Sequence, residues 1–276
     1  TRTNKENIDS LVRKYGWDSN VVRVRVRGEF PNQEDDVFIP LSIIEQCSSR
    51  LLELDDTDGM QFVSLGVDVA RFGDDETIIY RNYHGHCKIV RNRRGQNLMA
   101  TVGDIVQEFK KIYREHPTYE GKVYVQIDDT GLGGGVTDRL KEVRKEQKLY
   151  KMQVIPINAA EKIETDTAAG KDAAERYNNL TTAMWASMRD LLDNKQIVIE
   201  DDEQTIGQLS SRKYTMASNG KLEIEPKKEM KKRGLDSPDR ADALALALYL
   251  GKIKKHTGTA PSAGAMQKLS KDNYWG

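Results

Sequence analysis

The pattern of apolar and polar residues divides the chain into two parts. Residues 1–15 are a polar stretch of helical character, residues 41–54 have the spacing of a second helix, and an acidic break follows over 55–59. Valine and arginine alternate over 21–27, which predicts an extended strand or arm because successive side chains of a strand point to opposite faces. Since none of this has the pattern of a core, we expect residues 1–60 to form a linker or connector arm.

From residue 61 onward, the pattern is that of a folded domain. The predicted strands span 62–70, 77–83, 87–91, 122–127, 151–157 and 196–199, and the predicted helices span 97–115, 133–147, 171–192 and 238–250. Turns between the first three strands predict an antiparallel meander, and Asn219-Gly220 predicts a β-hairpin over 214–224. A meander followed by alternating helices and strands predicts an α/β domain over 61–252, a mixed sheet flanked by helices. Residues 253–276 are expected to be a flexible tail.

Composition and charge exclude several classes of protein. The 43 basic and 43 acidic residues give a formal net charge of zero, so a nucleic-acid surface has to be a local patch. Two cysteines, Cys47 and Cys87, and four histidines show no zinc-binding spacing, which favours reduced structural thiols. No segment approaches the ~20 apolar residues of a membrane-spanning helix, and the polar N-terminus is unlike a signal peptide. We expect an intracellular protein without a membrane partner.

Three segments carry aspartates that the fold alone does not require, and the first is the strand that contains Asp68. Alternation places Val63, Leu65 and Val67 on one face of this strand and Asp68 on the other face, among small residues. The strand therefore presents a carboxylate on a face that has room for a ligand. The alternative is an edge-strand carboxylate that faces water.

The second segment begins where the strand over 122–127 ends. Asp128 follows the strand, and a glycine-rich turn leads into the next helix, with the sequence IDDTGLGGGVTD over 127–138. A carboxylate at the carboxyl end of a strand before such a turn builds a crevice at the edge of the sheet. Glycines also let a phosphate approach the backbone N–H groups at the helix start. An Asp turn with a flexible loop is the alternative.

The third segment is the start of the last helix, SPDRADALA over 237–245. Ser237 as N-cap and Pro238 in the first helical position explain an acid at Asp239 by local capping. They do not explain Asp242, because this helix is otherwise apolar all round and an isolated buried carboxylate is costly. Since residues three apart share a helix face, a cation is the simplest partner for both acids. Arg240 or a lysine is the structural alternative.

These acidic segments contain no histidine or cysteine that could complete a softer metal site. Carboxylates alone favour hard ions such as Mg²⁺ or Mn²⁺, and acids that converge repel each other unless a divalent ion neutralises them. Two such ions about 4 Å apart can hold an attacking water and stabilise the leaving oxygen in phosphodiester hydrolysis. This chemistry needs no nucleophilic side chain, which is consistent with the lack of a GxSxG or Cys/His signature.

The three segments resemble the nuclease motifs of the large terminase subunits of tailed bacteriophages. The sequence GVDVARFGDDET over 66–77 is similar to the first motif, residues 127–138 to the second, and residues 237–245 to the third. Residues 23–40, which include RVRGEFP, resemble the stretch that joins motor to nuclease in such subunits. Each motif alone is moderately specific, but the three in order with the connector form a specific signature.

This resemblance implies a ribonuclease H-like fold and an endonuclease that cuts concatemeric viral DNA during genome packaging. The catalytic ligands that it implies for two Mg²⁺ or Mn²⁺ ions are Asp68, Asp128, Asp239 and Asp242, with Asp74 as an auxiliary acid. Asp129 is an alternative to Asp128. Which of Asp239 and Asp242 lies closer to the metal stays open at this point.

Large terminase subunits also contain an ATPase motor, whose phosphate loop requires the pattern G-x-x-x-x-G-K-[ST]. The sequence lacks this pattern, since AAGKD over 168–172 has neither the first glycine nor the hydroxyl. We therefore expect residues 1–60 to follow the ATPase domain of a longer chain. The other partners that the resemblance implies are double-stranded DNA, the portal and the small terminase subunit, in the cytoplasm of the infected bacterial host.

Two basic runs are candidates for DNA contact, RNRR over 91–94 and KKEMKKR over 227–233. Phosphate contacts give affinity without reading sequence, and no recognition-helix or zinc-finger pattern is present. We expect weak, salt-sensitive and sequence-tolerant binding through Arg91, Arg93, Arg94, Lys227, Lys228, Lys231, Lys232 and Arg233. The alternative for each run is a solvated charged surface.

Three other functions stay open at this point. Actin-like ATPases and sugar kinases resemble the same fold and hold nucleotide phosphates on glycine turns, but they need a larger two-domain chain and an adenosine motif that is not found. Junction resolvases and integrases share the chemistry of the acid cluster. A DNA- or capsid-docking module with structural acids is the non-catalytic alternative.

Overall fold

The computed structural model describes residues 62–70, 75–159, 161–249 and 251, and five stretches before them, 8–9, 12–13, 16–17, 20–29 and 36–48. Within the helix predicted over 1–15, residues 8–9 and 12–13 are helical. The next helices are α1 (Asn20–Arg25) and α2 (Leu41–Ser48). The second half of the helix predicted over 41–54, the acidic break and the tail over 253–276 lie outside the described residues.

The prediction of an extended arm over 21–27 is wrong, because α1 is helical there. Val22 and Val26 lie four positions apart, and Val22 is fully buried with Val26 packed against it. Arg27 binds Glu29 with an N–O distance of 2.6 Å. Contacts between residues on one helix face therefore outweigh the strand-like alternation.

Six described strands form one mixed sheet. They are β1 (Val63–Asp68), β2 (Thr77–Tyr83), β3 (His86–Arg93), β4 (Val123–Asp128), β5 (Met152–Ile157) and β6 (Val198–Ile199), in the order β5-β4-β1-β2-β3-β6. β1, β2 and β3 form the predicted antiparallel meander, while β4 pairs parallel with β1 and β5 parallel with β4. The carboxyl ends of β1, β4 and β5 therefore meet at one edge, where open α/β sheets bind ligands.

Helices cover both faces of this sheet, as predicted. The described helices that follow β3 are α3 (Leu98–Glu115), α4 (Gly133–Glu146), α5 (Ala168–Arg176), α6 (Leu180–Asp193), α7 (Glu203–Ser211), α8 (Lys227–Lys232) and α9 (Asp239–Leu248), and the predicted hairpin consists of β7 (Tyr214–Met216) and β8 (Leu222–Ile224). α3 and α4 pack against Val63, Leu65 and Val67 on one face. α9 covers the other face and contacts α6 and α7. Neither α7 nor α8 was predicted from the sequence.

The single helix predicted over 171–192 is two helices, α5 and α6. Asn179 caps α6, because its side chain accepts a hydrogen bond from the N–H group of Thr182. The N–H group of Asn178 donates to Leu222 O in the hairpin at 2.9 Å. Pairing with the hairpin therefore draws this segment out of the helical conformation.

α9 lies directly on β1 because Gly66 has no side chain. A Cβ atom at Gly66 would lie 2.0 Å from Ala243 O and 2.3 Å from Ala247 N. Gln126 on β4 donates to Leu246 O at 2.6 Å, and so binds a carbonyl in the last turn of α9. The close approach at Gly66 places the N-terminal turn of α9 beside the carboxyl end of β1, whereas the Gln126 contact fastens only the C-terminal end of the helix.

The described residues show no membrane helix and no disulfide. None of the described helices is both long and apolar enough to cross a bilayer. Cys47 and Cys87 are free and buried, and burial raises the pKa of Cys47 to about 11. Both thiols are therefore part of the core.

Candidate metal centre

Three aspartates from distant parts of the chain surround the ammonium group of Lys227. Its Nζ atom lies 2.9 Å from Asp242 Oδ2, 3.4 Å from Asp68 Oδ2 and 3.7 Å from Asp239 Oδ1. Asp68 ends β1, Asp239 and Asp242 lie in the first turn of α9, and Lys227 begins α8. Three of the four candidate acids therefore converge on one cation.

Asp242 is oriented by two donors on its other oxygen. Its Oδ1 atom accepts hydrogen bonds from Trp185 Nε1 at 2.7 Å and from Arg212 Nη1 at 2.9 Å. The Arg212 guanidinium also stacks on the Trp185 ring, 4.6 Å from its centroid. With Oδ1 held in this way, Oδ2 is left to face the shared centre.

Asp239 is oriented in the same manner by a different element. Its Oδ2 atom accepts a hydrogen bond from the N–H group of Glu76 at 2.9 Å, so Oδ1 is directed toward Lys227. Each acid on α9 therefore has one oxygen fixed by the protein and one directed at the cation. Such outer contacts are what orients carboxylate ligands in metal sites.

The partner of Arg240 lies away from the acid cluster. Arg240 binds Asp202 through Nη1 at 2.8 and 2.9 Å and approaches Glu76 at 3.4 Å. Of the two structural partners that the sequence left open for Asp239 and Asp242, the structure selects a lysine, Lys227.

The prediction that Ser237 caps α9 is wrong. Pro238, and not Ser237, stands at the N-cap position, and it makes no side-chain hydrogen bond. Gln208 on α7 takes over this role, because its Oε1 atom accepts from the N–H groups of Arg240 and Ala241. A cap from a distant helix cannot be read from the residues around position 237.

The crowding of acids shifts their pKa values in different directions. Burial raises the pKa of Asp68 to about 7, the neighbouring acids add to the rise, and Lys227 opposes it. Burial also raises the pKa of Asp239. Burial acts in the same direction on Asp242, but Lys227 and Arg212 outweigh it and lower its pKa. A single ammonium therefore leaves the cluster with unfavourable negative charge, which a cation of higher charge would relieve.

Asp128, the fourth candidate, stands beside these acids at the same edge of the sheet. It ends β4, which pairs parallel with β1 up to the residue before Asp68. Its charge contributes to the raised pKa of Asp68, and its Oδ1 atom accepts from Thr130 N–H at 3.0 Å. Gly133 allows the tight turn that follows, since a Cβ atom there would lie 1.6 Å from Asp128 O.

The two remaining acids of the sequence analysis are placed differently. Asp129 has a buried Oδ1 atom that lacks a hydrogen-bond partner within the described ranges. Its N–H group donates to Ile157 O at 2.9 Å. The auxiliary Asp74 lies outside the described residues.

The basic residues separate into an exposed set and an inward set. The exposed set consists of Arg93, Arg94, Lys228, Lys231, Lys232 and Arg233. Arg91 turns inward to Asp104 at 3.3 Å, and Lys227 lies among the acids. Arg94 binds Glu76 at 2.9 Å, so this exposed cation stands next to the residue whose N–H group binds Asp239.

Solved structures of one kind of domain resemble this chain. The nuclease domain of the large terminase subunit gp2 of bacterial virus Sf6 matches over 77% of this chain and 98% of that chain, with a TM-score of 0.58 and 17% sequence identity. A mutant of that domain with manganese and beta-thujaplicinol matches with the same TM-score and coverage at 16% identity. A mutant with calcium has a TM-score of 0.57 at 16% identity, over 77% of this chain and 99% of that chain. The chain has the fold of a phage terminase nuclease domain.

The predicted ribonuclease H-like fold of the terminase nuclease is thereby confirmed. No protein-family model and no curated protein matches the sequence. The terminase nuclease fold was therefore recognisable from short motifs and from the three-dimensional structure.

The residues of this terminase nuclease fold meet the chemical demands of a hard cation. In the part of the chain that the structure describes, no three acids, histidines or cysteines stand close enough together to close around an ion unaided. The Lys227 ammonium lies among three of the candidate acids and occupies the place of a cation there. The donors are all carboxylate oxygens, which is the set that Mg²⁺ and Mn²⁺ prefer.

Sequence reasoning missed three residues that shape this centre. Trp185 sits within an amphipathic helix, Arg212 is a lone arginine, and Gln208 belongs to a helix that was not predicted. Lys227 was found only as one member of a basic run. Burial is the feature that marks Arg212 and Gln208 as important, since they are 2% and 5% exposed and a buried polar residue needs a partner.

Proposed function

We propose that this chain is the nuclease domain of a phage DNA-packaging terminase, a divalent-metal-dependent endonuclease that cuts concatemeric viral DNA with little sequence specificity. The observation that carries the proposal is the convergence of Asp68, Asp239 and Asp242 on one cation at the carboxyl edge of the sheet. The fold, which the Sf6 terminase nuclease shares, and the three sequence motifs support it. The partners are double-stranded DNA, an ATPase domain of the same full-length chain, the portal and the small terminase subunit, in the cytoplasm of the infected host.

Two Mg²⁺ or Mn²⁺ ions would be held by Asp68, Asp128, Asp239 and Asp242. When bound, such ions supply a water nucleophile at neutral pH and neutralise charge on the leaving oxygen. The chain contributes the orientation: Trp185 and Arg212 hold Asp242 Oδ1, and Glu76 N–H holds Asp239 Oδ2. Lys227 has to withdraw its ammonium group from between the acids, and its flexible stem allows this movement.

Digestion of a supercoiled plasmid tests the proposal directly. We expect the chain to convert the plasmid to nicked and linear forms in Mn²⁺, and to leave it intact when EDTA removes the metal, because the metal is needed to activate the attacking water. Gel electrophoresis over a time course measures both forms. Linear and branched duplexes are compared in the same buffer.

Each alternative has its own outcome in these assays. Cleavage restricted to branched DNA would identify a junction resolvase. Stabilisation by ATP with Mg²⁺, without any cleavage, would favour the actin-like or sugar-kinase alternative. An intact plasmid with no metal effect would leave a docking module with structural acids, and the nuclease proposal would be wrong.

We further propose that the exposed cations of α8 contact DNA phosphates. Lys231 and Lys232 side chains are 55 and 61% exposed, and their helix begins with Lys227 in the acid cluster. For the double variant Lys231→Gln, Lys232→Gln we expect weaker binding, with the slope of log affinity against log salt shallower by about 0.9 for each lost phosphate contact. Fluorescence anisotropy with a short duplex at several salt concentrations measures this slope.

The matched control removes the same charge from the opposite end of the fold. Lys141 and Lys145 lie on α4, which begins at the carboxyl edge of the sheet and runs away from it. The double variant Lys141→Gln, Lys145→Gln is expected to keep the wild-type slope. Equal slopes for both double variants would contradict a DNA surface on α8.

A further inference from the structure

The first turn of α9, which carries Asp239 and Asp242, is capped from another helix. The Oε1 atom of Gln208 on α7 accepts hydrogen bonds from the N–H groups of Arg240 at 2.9 Å and Ala241 at 3.1 Å. These two groups belong to the first turn, where the helix itself offers no partner. The backbone between the two acids is therefore held by an amide from α7.

The same amide also holds the chain before the helix. Gln208 Nε2 donates to Ser237 O at 3.3 Å, and Gln208 is 5% exposed. A second link comes from the start of α7, where Asp202 caps α7 and binds the guanidinium of Arg240. α7 carries none of the candidate metal ligands, yet it fixes the helix turn that carries two of them.

We propose that Gln208 is a positioning residue of the metal centre, which acts through the α9 backbone to set Asp239 and Asp242 against Asp68. This inference rests on the proposed function, because the position of these acids matters only if they bind the ion. Gln208 acts through the backbone, because its side chain hydrogen-bonds to Ser237 O and to the N–H groups of Arg240 and Ala241. Outer residues that orient metal ligands are worth about 10–100-fold in metal affinity.

Gln126 on β4 provides a matched control because it binds the opposite end of the same helix. It is fully buried, and its Nε2 atom donates to Leu246 O at 2.6 Å and to Ala247 O at 3.3 Å. These groups lie at the C-terminal end of α9, away from the acids. Methionine in place of either glutamine removes the hydrogen bonds and keeps the length of the side chain.

The experiment measures binding of Mn²⁺ alone by electron paramagnetic resonance, together with the melting temperature of each variant. We expect Gln208→Met to weaken Mn²⁺ binding by about tenfold. Gln208→Glu keeps both acceptor interactions with the helix N–H groups but loses the donor to Ser237 O, so it is expected to recover part of this loss. Gln126→Met is expected to bind Mn²⁺ as the wild type does, although both methionine variants melt at lower temperature.

Wild-type Mn²⁺ affinity in Gln208→Met would overturn the inference, and so would an equal loss of affinity in Gln126→Met. If Gln208→Met does not fold, Gln208→Asn gives the same test, since its shorter side chain withdraws the amide from Arg240 and Ala241. A wild-type chain that binds no Mn²⁺ would overturn the proposed function itself. That result is distinct from the others because it does not depend on residue 208.

Discussion

Plasmid cleavage in Mn²⁺ is expected to fall by about 10³-fold when Asp68 is replaced by asparagine, the effect of losing several kcal/mol of charge stabilisation. The amide keeps the size of the side chain but removes the negative charge that a metal ion requires. Asp68 is 7% exposed and lies in the middle of the cluster, so no nearby solvent replaces it as a ligand. Initial rates over a range of Mn²⁺ concentrations measure the loss.

The same substitution is expected to stabilise the metal-free fold. Asp68 is buried among other acids and pairs with Lys227, which Asp239 and Asp242 continue to bind. Removing a buried, crowded charge should raise the melting temperature in EDTA by about 2–4 °C, the shift that about 1 kcal/mol produces in a domain of this size. A site built for a cation is expected to show this opposition between activity and stability.

Asp138→Asn is the matched control for both measurements. The Asp138 side chain is 82% exposed on α4, so its substitution should change neither the cleavage rate nor the melting temperature. Full cleavage by Asp68→Asn would contradict the assignment of the metal centre. A lower melting temperature of Asp68→Asn in EDTA would show that this acid serves the fold instead.

Gly66→Ala is expected to cost about 3 kcal/mol of folding free energy, the upper end for an added methyl group in a close-packed core. A Cβ atom at this position would lie 2.0 Å from Ala243 O and 2.3 Å from Ala247 N, and neither backbone atom can move without α9. We expect the melting temperature to drop by about 6–12 °C. Because α9 carries Asp239 and Asp242, cleavage by the folded fraction should fall as well.

Gly103→Ala is the control for this substitution. Gly103 lies inside α3, and nothing stands within 4 Å of the place where its Cβ atom would be. Alanine there should stabilise the protein by about 1 kcal/mol through its better helix propensity. Thermal melts in EDTA compare the two variants, and equal stability of Gly66→Ala and wild type would contradict the close approach of α9 to β1.

Short-range patterns in the sequence were sufficient for most of the sheet. The strand predicted over 77–83 has the observed bounds, and the hairpin around Asn219-Gly220 is present. Over 21–27 the alternation of valine and arginine predicted an extended segment. The contacts of Val22 on one face of a helix determine the structure there. The break between α5 and α6 also escaped prediction, because it depends on the hairpin that pairs with Asn178.

By itself the sequence determined which acids to consider, since strand alternation, a glycine turn and a buried helix each mark one of them locally. Only the tertiary structure decided their partners. Lys227 is separated from Asp68 by 159 positions, Trp185 from Asp242 by 57, and Gln208 from Arg240 by 32. The physical reason is that local patterns report which side of an element is buried, whereas the partner of a buried charge is set by whichever distant element packs against it.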